Sequence, residues 1–228
     1  MKVYSVAIIG VGSRGAFTYG EIMNDQKDKF KIVSLCDIKE SALEFYSKRF
    51  SIGQNNCFNN EEEFFKEKRA DVLVIATQDR DHVRMAIKGL KLGYDILLEK
   101  PISPIKEELY ELLRVQKETG HKVLVCHVLR YAPAYLKIKE LIDQNEIGKV
   151  IRFEALERVS YWHQAHSFVR GNWHKEKDTS PMIMAKCCHD LDIIRWLADA
   201  KCVSVYSTGD LSFFKKDNKP QEASNECK

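Results

Sequence analysis

Two short stretches carry side chains suited to moving a proton. In Glu99-Lys100-Pro101 a proline follows the lysine, which favours an extended backbone at Lys100 and permits a cis bond. An ammonium fixed in that way can exchange a proton with a substrate hydroxyl or carbonyl. The second stretch is Cys187-Cys188-His189-Asp190-Leu191-Asp192. One turn either side of His189 stand Ala185 and Ile193, with Asp192 three residues on, so the residue reads as a core histidine unless its helix walls a cleft. In a cleft it would orient a substrate or relay a proton. His82 reads equally as a helix-start residue or a cofactor-loop contact, and Arg130-Tyr131 as cleft residues or as one side of an ion pair. His163, His166 and His174, with Trp162 and Trp173, form an aromatic loop in which Trp173 and His174 are candidates to line a pocket. No metal is expected, because nothing places these groups on one ligand face.

The N-terminal stretch supplies a seat for a second reactant. Val6-Ala7-Ile8-Ile9 is a short, β-branched apolar run that reads as a buried strand. Gly10, Gly12 and Gly15 then match G-x-G-x-x-G: one glycine for the tight turn, one for close approach of a pyrophosphate, one for helix–strand packing. The helix opening behind them offers free N–H groups to phosphate. A second apolar strand, Ile32 to Cys36, ends at Asp37, whose carboxylate would accept ribose hydroxyls. Strand, glycines, helix-length spacer, strand and acid in this order predict NAD or NADP. Asp37 favours NAD by repelling a 2′-phosphate, while Arg14 and Lys39 nearby pull the other way.

The elements that must position these groups follow in alternation. Helices are predicted from Ser41 to Phe50, from an Asn60 N-cap, over Val83–Leu92 with Gly93 closing it, and from a Ser103 N-cap with Pro104 at its first position to Thr119, closed by Gly120. Strands are predicted at Asn55–Phe58, Asp71–Thr77, Tyr94–Glu99 and Val123–Cys126. Such βα alternation gives an α/β fold with a doubly wound parallel Rossmann sheet over residues 1–128. Residues 129–228 read as a second, incomplete α+β domain. It has a helix at Ala134–Gln144, an antiparallel-type strand within Gly148–Arg158, a polar loop at Tyr161–Ser180, a helix at Met182–Leu197 buried through Met184, Cys188, Leu191 and Ile194, and a strand at Cys202–Leu211. One or two strands make an inadequate sheet.

The bulk properties narrow the class. With 44% hydrophobic and 30% charged residues, the 228-residue chain has material for a real core, as in soluble globular proteins. A net charge of +3, with basic and acidic residues interleaved, argues against a nucleic-acid partner. No apolar run suits a membrane span, and the first strand begins too early for a signal peptide. Seven scattered cysteines without an internal Cys-x-x-Cys read as buried, reduced thiols of a cytoplasmic protein.

At these residues the sequence resembles the Gfo/Idh/MocA oxidoreductase family. The likeness rests on G-V-G-S-R-G, the acid-terminated second strand, T-Q-D-R-D-H, E-K-P, R-Y-A-P and C-H-D-L-D, and spans nearly the whole chain. It implies that Lys100 is the catalytic lysine and His189 the substrate-side histidine. It implies cofactor contacts at Gly10, Gly12, Ser13, Arg14, Gly15, Asp37, Thr77, Gln78, His82 and Glu99, and Lys39, Lys100 and Arg130 join these as candidates. The implied reaction is hydride transfer between a nicotinamide cofactor and a sugar, cyclitol or related polyhydroxylated compound. A redox-neutral NAD-dependent glycosidase and a non-catalytic dinucleotide sensor are the alternatives. Many family dehydrogenases carry an aspartate one turn before the histidine; here that position is Ala185, followed by Lys186. Family members also usually continue for a hundred or more residues, so the chain resembles an N-terminal fragment. Its open second-domain sheet would favour a homo-oligomer.

Overall fold

The computed structural model describes residues 2–224. Six strands form one parallel sheet: β1 (Tyr4–Ile9), β2 (Phe30–Cys36), β3 (Cys57–Phe58), β4 (Val72–Ile75), β5 (Asp95–Leu98) and β6 (Val123–Val125), in the order β3-β2-β1-β4-β5-β6. Succession runs outward to one side from β1 to β3, then returns to β4 on the other side of β1. That reversal leaves a crevice at the carboxyl ends of β1 and β4. The crossovers are a wide π-type helix at Ser13–Gly20 continuing into α1 (Glu21–Asp25), then α2 (Glu40–Arg49), α3 (Glu61–Phe64), α4 (His82–Lys91) and α5 (Lys106–Thr119).

The two-residue period of the strands divides the core between the two sheet faces. Ala7 and Ile9 of β1 join Leu73, Ile75, Ile96 and Leu98 against α4 and α5, with Phe64 and Tyr94 filling the same layer. Val6 and Ile8 turn the other way, with Ile32, Leu35 and Val74, beneath Leu43 and Phe50. Strands covered on both faces need apolar residues at every position, which explains the unbroken runs in the sequence. Local signals end the helices as expected. The Asn60 side chain accepts the Glu62 N–H at 2.7 Å, and Gly120 closes α5 at φ +70°.

One helix start differs from the expectation. Ser103 is not the N-cap of α5: its hydroxyl accepts the Ile105 N–H at 2.9 Å and donates to Glu108, while Ile105 stays extended and the helix begins at Lys106. The serine therefore organises the turn before the helix rather than its first turn.

The second half departs further. It holds α6 (Pro133–Asp143), a short α7 (Tyr161–Gln164) running into a π-type turn at Ala165–Val169, and α8 (Met182–Ala198). The strands expected within Gly148–Arg158 and Cys202–Leu211 are not formed among the described residues. Neither stretch has a ladder partner among the described residues, and Ile151, Val203 and Tyr206 are 84%, 96% and 91% exposed. A strand needs a neighbour to take its N–H and C=O groups, and among the described residues none pairs with either stretch. The buried stripe of α8 is also rotated from its expected position. It runs through Ala185, Ile193 and Leu197, while Leu191 is exposed.

Among the described residues no helix is long and apolar enough to cross a membrane, and no cluster of three or more His, Cys, Asp or Glu side chains is arranged to hold a metal ion. The described cysteines are free thiols; Cys36 and Cys126 are buried but Cys202 is exposed, against the expectation for it. Cys227 lies outside the described residues.

Candidate functional site

The carboxyl ends of the central strands bring most of the predicted residues to one edge. Gly10 leaves β1 at φ +90°, a conformation that favours glycine, and a Cβ there would lie 2.4 Å from the Ala76 carbonyl oxygen at the end of β4. A Cβ on Gly15 would strike the Gly10 carbonyl oxygen at 1.9 Å, so the helix can approach the strand only with glycine at that position. Gly12 is different. It is exposed, and a Cβ there meets nothing within 4 Å. Its own conformation does not require glycine; open space lies over the turn, bounded by the amino end of the Ser13–Gly20 helix. Ser13 and Arg14 are exposed beside it. The residues thus fit a diphosphate, since N–H groups at a helix start need an acceptor.

Asp37 closes this turn from the side. Its carboxylate accepts the Val11 N–H at 2.6 Å through one oxygen and the Lys39 N–H at 2.8 Å through the other. Gly10 N–H donates to the Cys36 carbonyl at 2.9 Å. Each carboxylate oxygen accepts more than one hydrogen bond, so capacity remains for ribose hydroxyls. Lys39 meets the site through its backbone; its exposed residue position borders Asp37.

Beyond β4, Thr77 lies beside the glycine turn, its backbone nitrogen 2.9 Å from where a Gly10 Cβ would stand, and Gln78 is exposed. His82 is fully buried, with Nδ1 2.8 Å from the Pro101 carbonyl and Nε2 3.2 Å from the Thr77 carbonyl. It ties the β4 loop to the β5 loop. The Lys100–Pro101 bond is cis. Glu99 is buried: one carboxylate oxygen accepts the Tyr19 hydroxyl at 2.6 Å and the other the Lys100 N–H at 2.9 Å. Burial, then the contacts with Cys126 and Glu99, push the Tyr19 phenol far above its ordinary range, so it remains a donor. Burial also pushes the Cys126 thiol up to about 11. Glu99 is thus a buried anchor for the backbone of Lys100.

The second half supplies the opposite wall. Lys100 Nζ reaches across and donates to the Ala185 carbonyl in the first turn of α8, at 3.0 Å. One turn on, His189 is half-buried and its Nδ1 has no hydrogen-bond partner among the described residues. Burial, reinforced by the charge of Lys100, holds this imidazole below its ordinary pKa, so it is neutral near pH 7. His127, just after β6, packs edge-on against it with ring centroids 6.1 Å apart. The buried His127 Nδ1 is also without a partner; the Asp192 carboxylate lies 3.8 Å away, too far for a hydrogen bond. Arg130 takes both Asp192 oxygens at 2.7 and 2.6 Å, so it braces α8 through an ion pair.

Trp173 and His174 fall outside this pair of walls. The Trp173 indole N–H donates to buried Asp79 at 3.0 Å, and the Ser180 hydroxyl donates to the same carboxylate oxygen. Arg80 donates to the carbonyls of Thr179 and Glu176, both at 2.8 Å. Together these fasten residues 173–180 to the loop after β4. His174 is exposed and hydrogen-bonded to the Gly171 carbonyl. A cavity of about 490 Å³ lined by Tyr161, Trp162, Ala165, His166, Arg170 and Gly171 includes none of the strand-end residues.

Tyr19 and His127 were not among the sequence candidates. His127 had a signal, as it follows the sixth strand's carboxyl end just as Arg130 does. Tyr19 had none, since its partner Glu99 is 80 residues away.

The family model described as "Oxidoreductase family, NAD-binding Rossmann fold" matches residues 4–127, and the Gfo/Idh/MocA C-terminal domain model matches residues 135–224. A Bacillus subtilis putative oxidoreductase, YteT, is 23% identical over 98% of this chain and 54% of its own length. An inositol 2-dehydrogenase from Salmonella paratyphi B is 23% identical over 87% of this chain and 56% of its own. Among solved structures, the scyllo-inositol dehydrogenase of Lactobacillus casei, with NAD(H) and scyllo-inositol bound, superposes with a TM-score of 0.73 at 19% identity, over 87% of this chain and 57% of that one. The chain therefore spans about half the length of the curated relatives it matches. On the match of both models along its length, the chain belongs to the Gfo/Idh/MocA oxidoreductase family.

Proposed function

We propose that this chain carries the cofactor seat and proton-transfer groups of an NAD(P)-dependent oxidoreductase acting on a sugar, cyclitol or related polyhydroxylated compound. The observation that carries the reading is the reach of Lys100 from the end of β5 to the first turn of α8, one turn before His189. Groups from two separate segments thereby meet beside the open glycine turn. The relatives named as inositol dehydrogenases support the substrate class.

A bound nicotinamide would supply the hydride acceptor or donor. The turn at Gly10, Gly12 and Gly15, with Ser13 and Arg14, would hold the diphosphate, and Asp37 the adenosine ribose, with NAD favoured over NADP. Thr77, Gln78, His82, Glu99 and Arg130 shape or brace the nicotinamide end. Lys100 keeps two Nζ protons beyond the one given to Ala185, and one of these serves the substrate oxygen as that oxygen gains or loses charge. Neutral His189 offers a ring nitrogen to orient the same hydroxyl or take up its proton. The boundary between cofactor and substrate units falls near residue 128, and the exposed apolar segments of the second half favour assembly into a homo-oligomer.

Replacing Lys100 with Met tests the reading. Turnover, followed by absorbance of the reduced cofactor across a sugar and polyol panel, should fall roughly 10²- to 10⁴-fold. NADH affinity, from fluorescence titration, should stay nearly unchanged. Undiminished turnover in the variant would overturn the role of Lys100.

A further inference from the structure

Lys186, in α8 next to Ala185, is half-buried and pairs with no acid among the described residues. Its Nζ lies 2.9 Å from Nε2 of His163 at the end of α7, a neutral acceptor at best. Lys100, whose own ammonium sits on the preceding residue's carbonyl, is likewise without a carboxylate within 4 Å among the described residues. The acids nearest this wall do not answer the charge. Glu99 engages both its oxygens with Tyr19 and the Lys100 N–H, and Asp192 is held by Arg130. Glu157 contributes only at a distance, with no hydrogen bond or ion pair to either lysine. Burial, and then the positive charge of Lys100, hold the Lys186 ammonium below its ordinary pKa; His163 is lowered by burial and by Lys186 in turn. Two cations and an imidazole thus share a half-buried wall beside His189, and among the described residues neither lysine has a carboxylate within 4 Å, Glu157 opposing their charge only from a distance.

We infer that the substrate carries an anionic group, a carboxylate or a phosphate, and that Lys186 with His163 binds it while Lys100 and His189 address the reacting hydroxyl. The inference rests on the oxidoreductase reading above and narrows its substrate class. A neutral polyol would leave the Lys186 charge unanswered, whereas an anion accepts charge-assisted hydrogen bonds from it. Arg14, on the glycine turn, is left for the cofactor phosphates.

The test uses the 228-residue chain loaded with NADH. After NADH binding is measured by fluorescence, D-glucuronate, D-glucose 6-phosphate, D-glucose and myo-inositol are titrated by calorimetry. One of the two anionic sugars should bind at least tenfold more tightly than the neutral pair, and which one it is distinguishes carboxylate from phosphate. Lys186→Met should weaken that ligand roughly ten- to a hundredfold. Lys186→Arg should retain most of the affinity, and both variants should keep the NADH affinity of the parent. Equal binding of neutral and anionic sugars, or an unaffected Lys186→Met variant, would overturn the inference while leaving the oxidoreductase reading intact. Loss of NADH affinity in Lys186→Met would reassign the lysine to the cofactor and overturn it as well. Failure of the parent to bind NADH would remove both.

Discussion

Val72-Leu73-Val74-Ile75 and Cys202-Val203-Ser204-Val205-Tyr206 are both short β-branched stretches, and they end in opposite environments. Leu73, Val74 and Ile75 are fully buried between β1 and β5, whereas Val203, Val205 and Tyr206 are more than four-fifths exposed. The first has a parallel neighbour on each side and helices above and below; the second has neither. The contrast shows that strand propensity describes what a segment can do once a ladder and a covering layer are supplied. In this chain residues 2–127 supply both, and residues 150–160 and 200–212 supply neither to each other.

The sharpest way to break the comparison is to cut into the sheet. Leu73→Ala removes a fully buried side chain from the layer shared with Ala7, Ile96 and Leu98. It should cost about 2–5 kcal/mol, read from urea unfolding, because close-packed strands relax little around a cavity. A cost below about 1 kcal/mol would mean that the central layer is no better packed than the exposed segments.

A middle-sized effect is expected where the two regions meet. Asp79 is 3% exposed and receives the Trp173 indole N–H and the Ser180 hydroxyl across the junction. Asp79→Ala leaves both donors without an acceptor and should cost about 1–3 kcal/mol. Loss of that contact should also change the emission of Trp173, which a mutation confined to the sheet would not do. An unchanged spectrum would show that the Trp173 indole does not rest on Asp79, leaving Ser180 and Arg80 to fasten residues 173–180 to the β4 loop.

What was legible follows the same division. The parallel sheet, the glycine turn and Gly120 could be read because each has a local cause: a continuous apolar run, a positive φ, or a clash that only glycine avoids. Asp37 was legible by position, but its hold on the Val11 and Lys39 N–H groups was not, since a carboxylate at a strand end serves a turn and a ribose equally well. On α8 the periodicity gave a helix but not its face. Met184, Cys188, Leu191 and Ile194 and the observed Ala185, Ile193 and Leu197 stripe are both spaced for a helix, and small Ala185 faces inward at the turn where Lys100 docks. The pairing of His127 with His189 and of Arg130 with Asp192 joins residues 62 apart in sequence, so no local pattern announces it.

The smallest expected effect is the most direct probe of the second region. Val205 is 82% exposed in a segment with no ladder partner, so Val205→Thr exchanges a methyl for a hydroxyl in contact with water. It should shift unfolding by no more than about 0.5 kcal/mol, against several for Leu73→Ala. If Val205→Thr costs more than about 1 kcal/mol, that side chain is covered in solution. Repeating the measurement over a hundredfold range of protein concentration then identifies the cover. A cost that grows with concentration assigns it to a second copy of the chain, because association stabilises by mass action. A cost that does not change with concentration places the covering contact within a single chain, and the difference between the two regions would then be one of timing in assembly rather than of final burial.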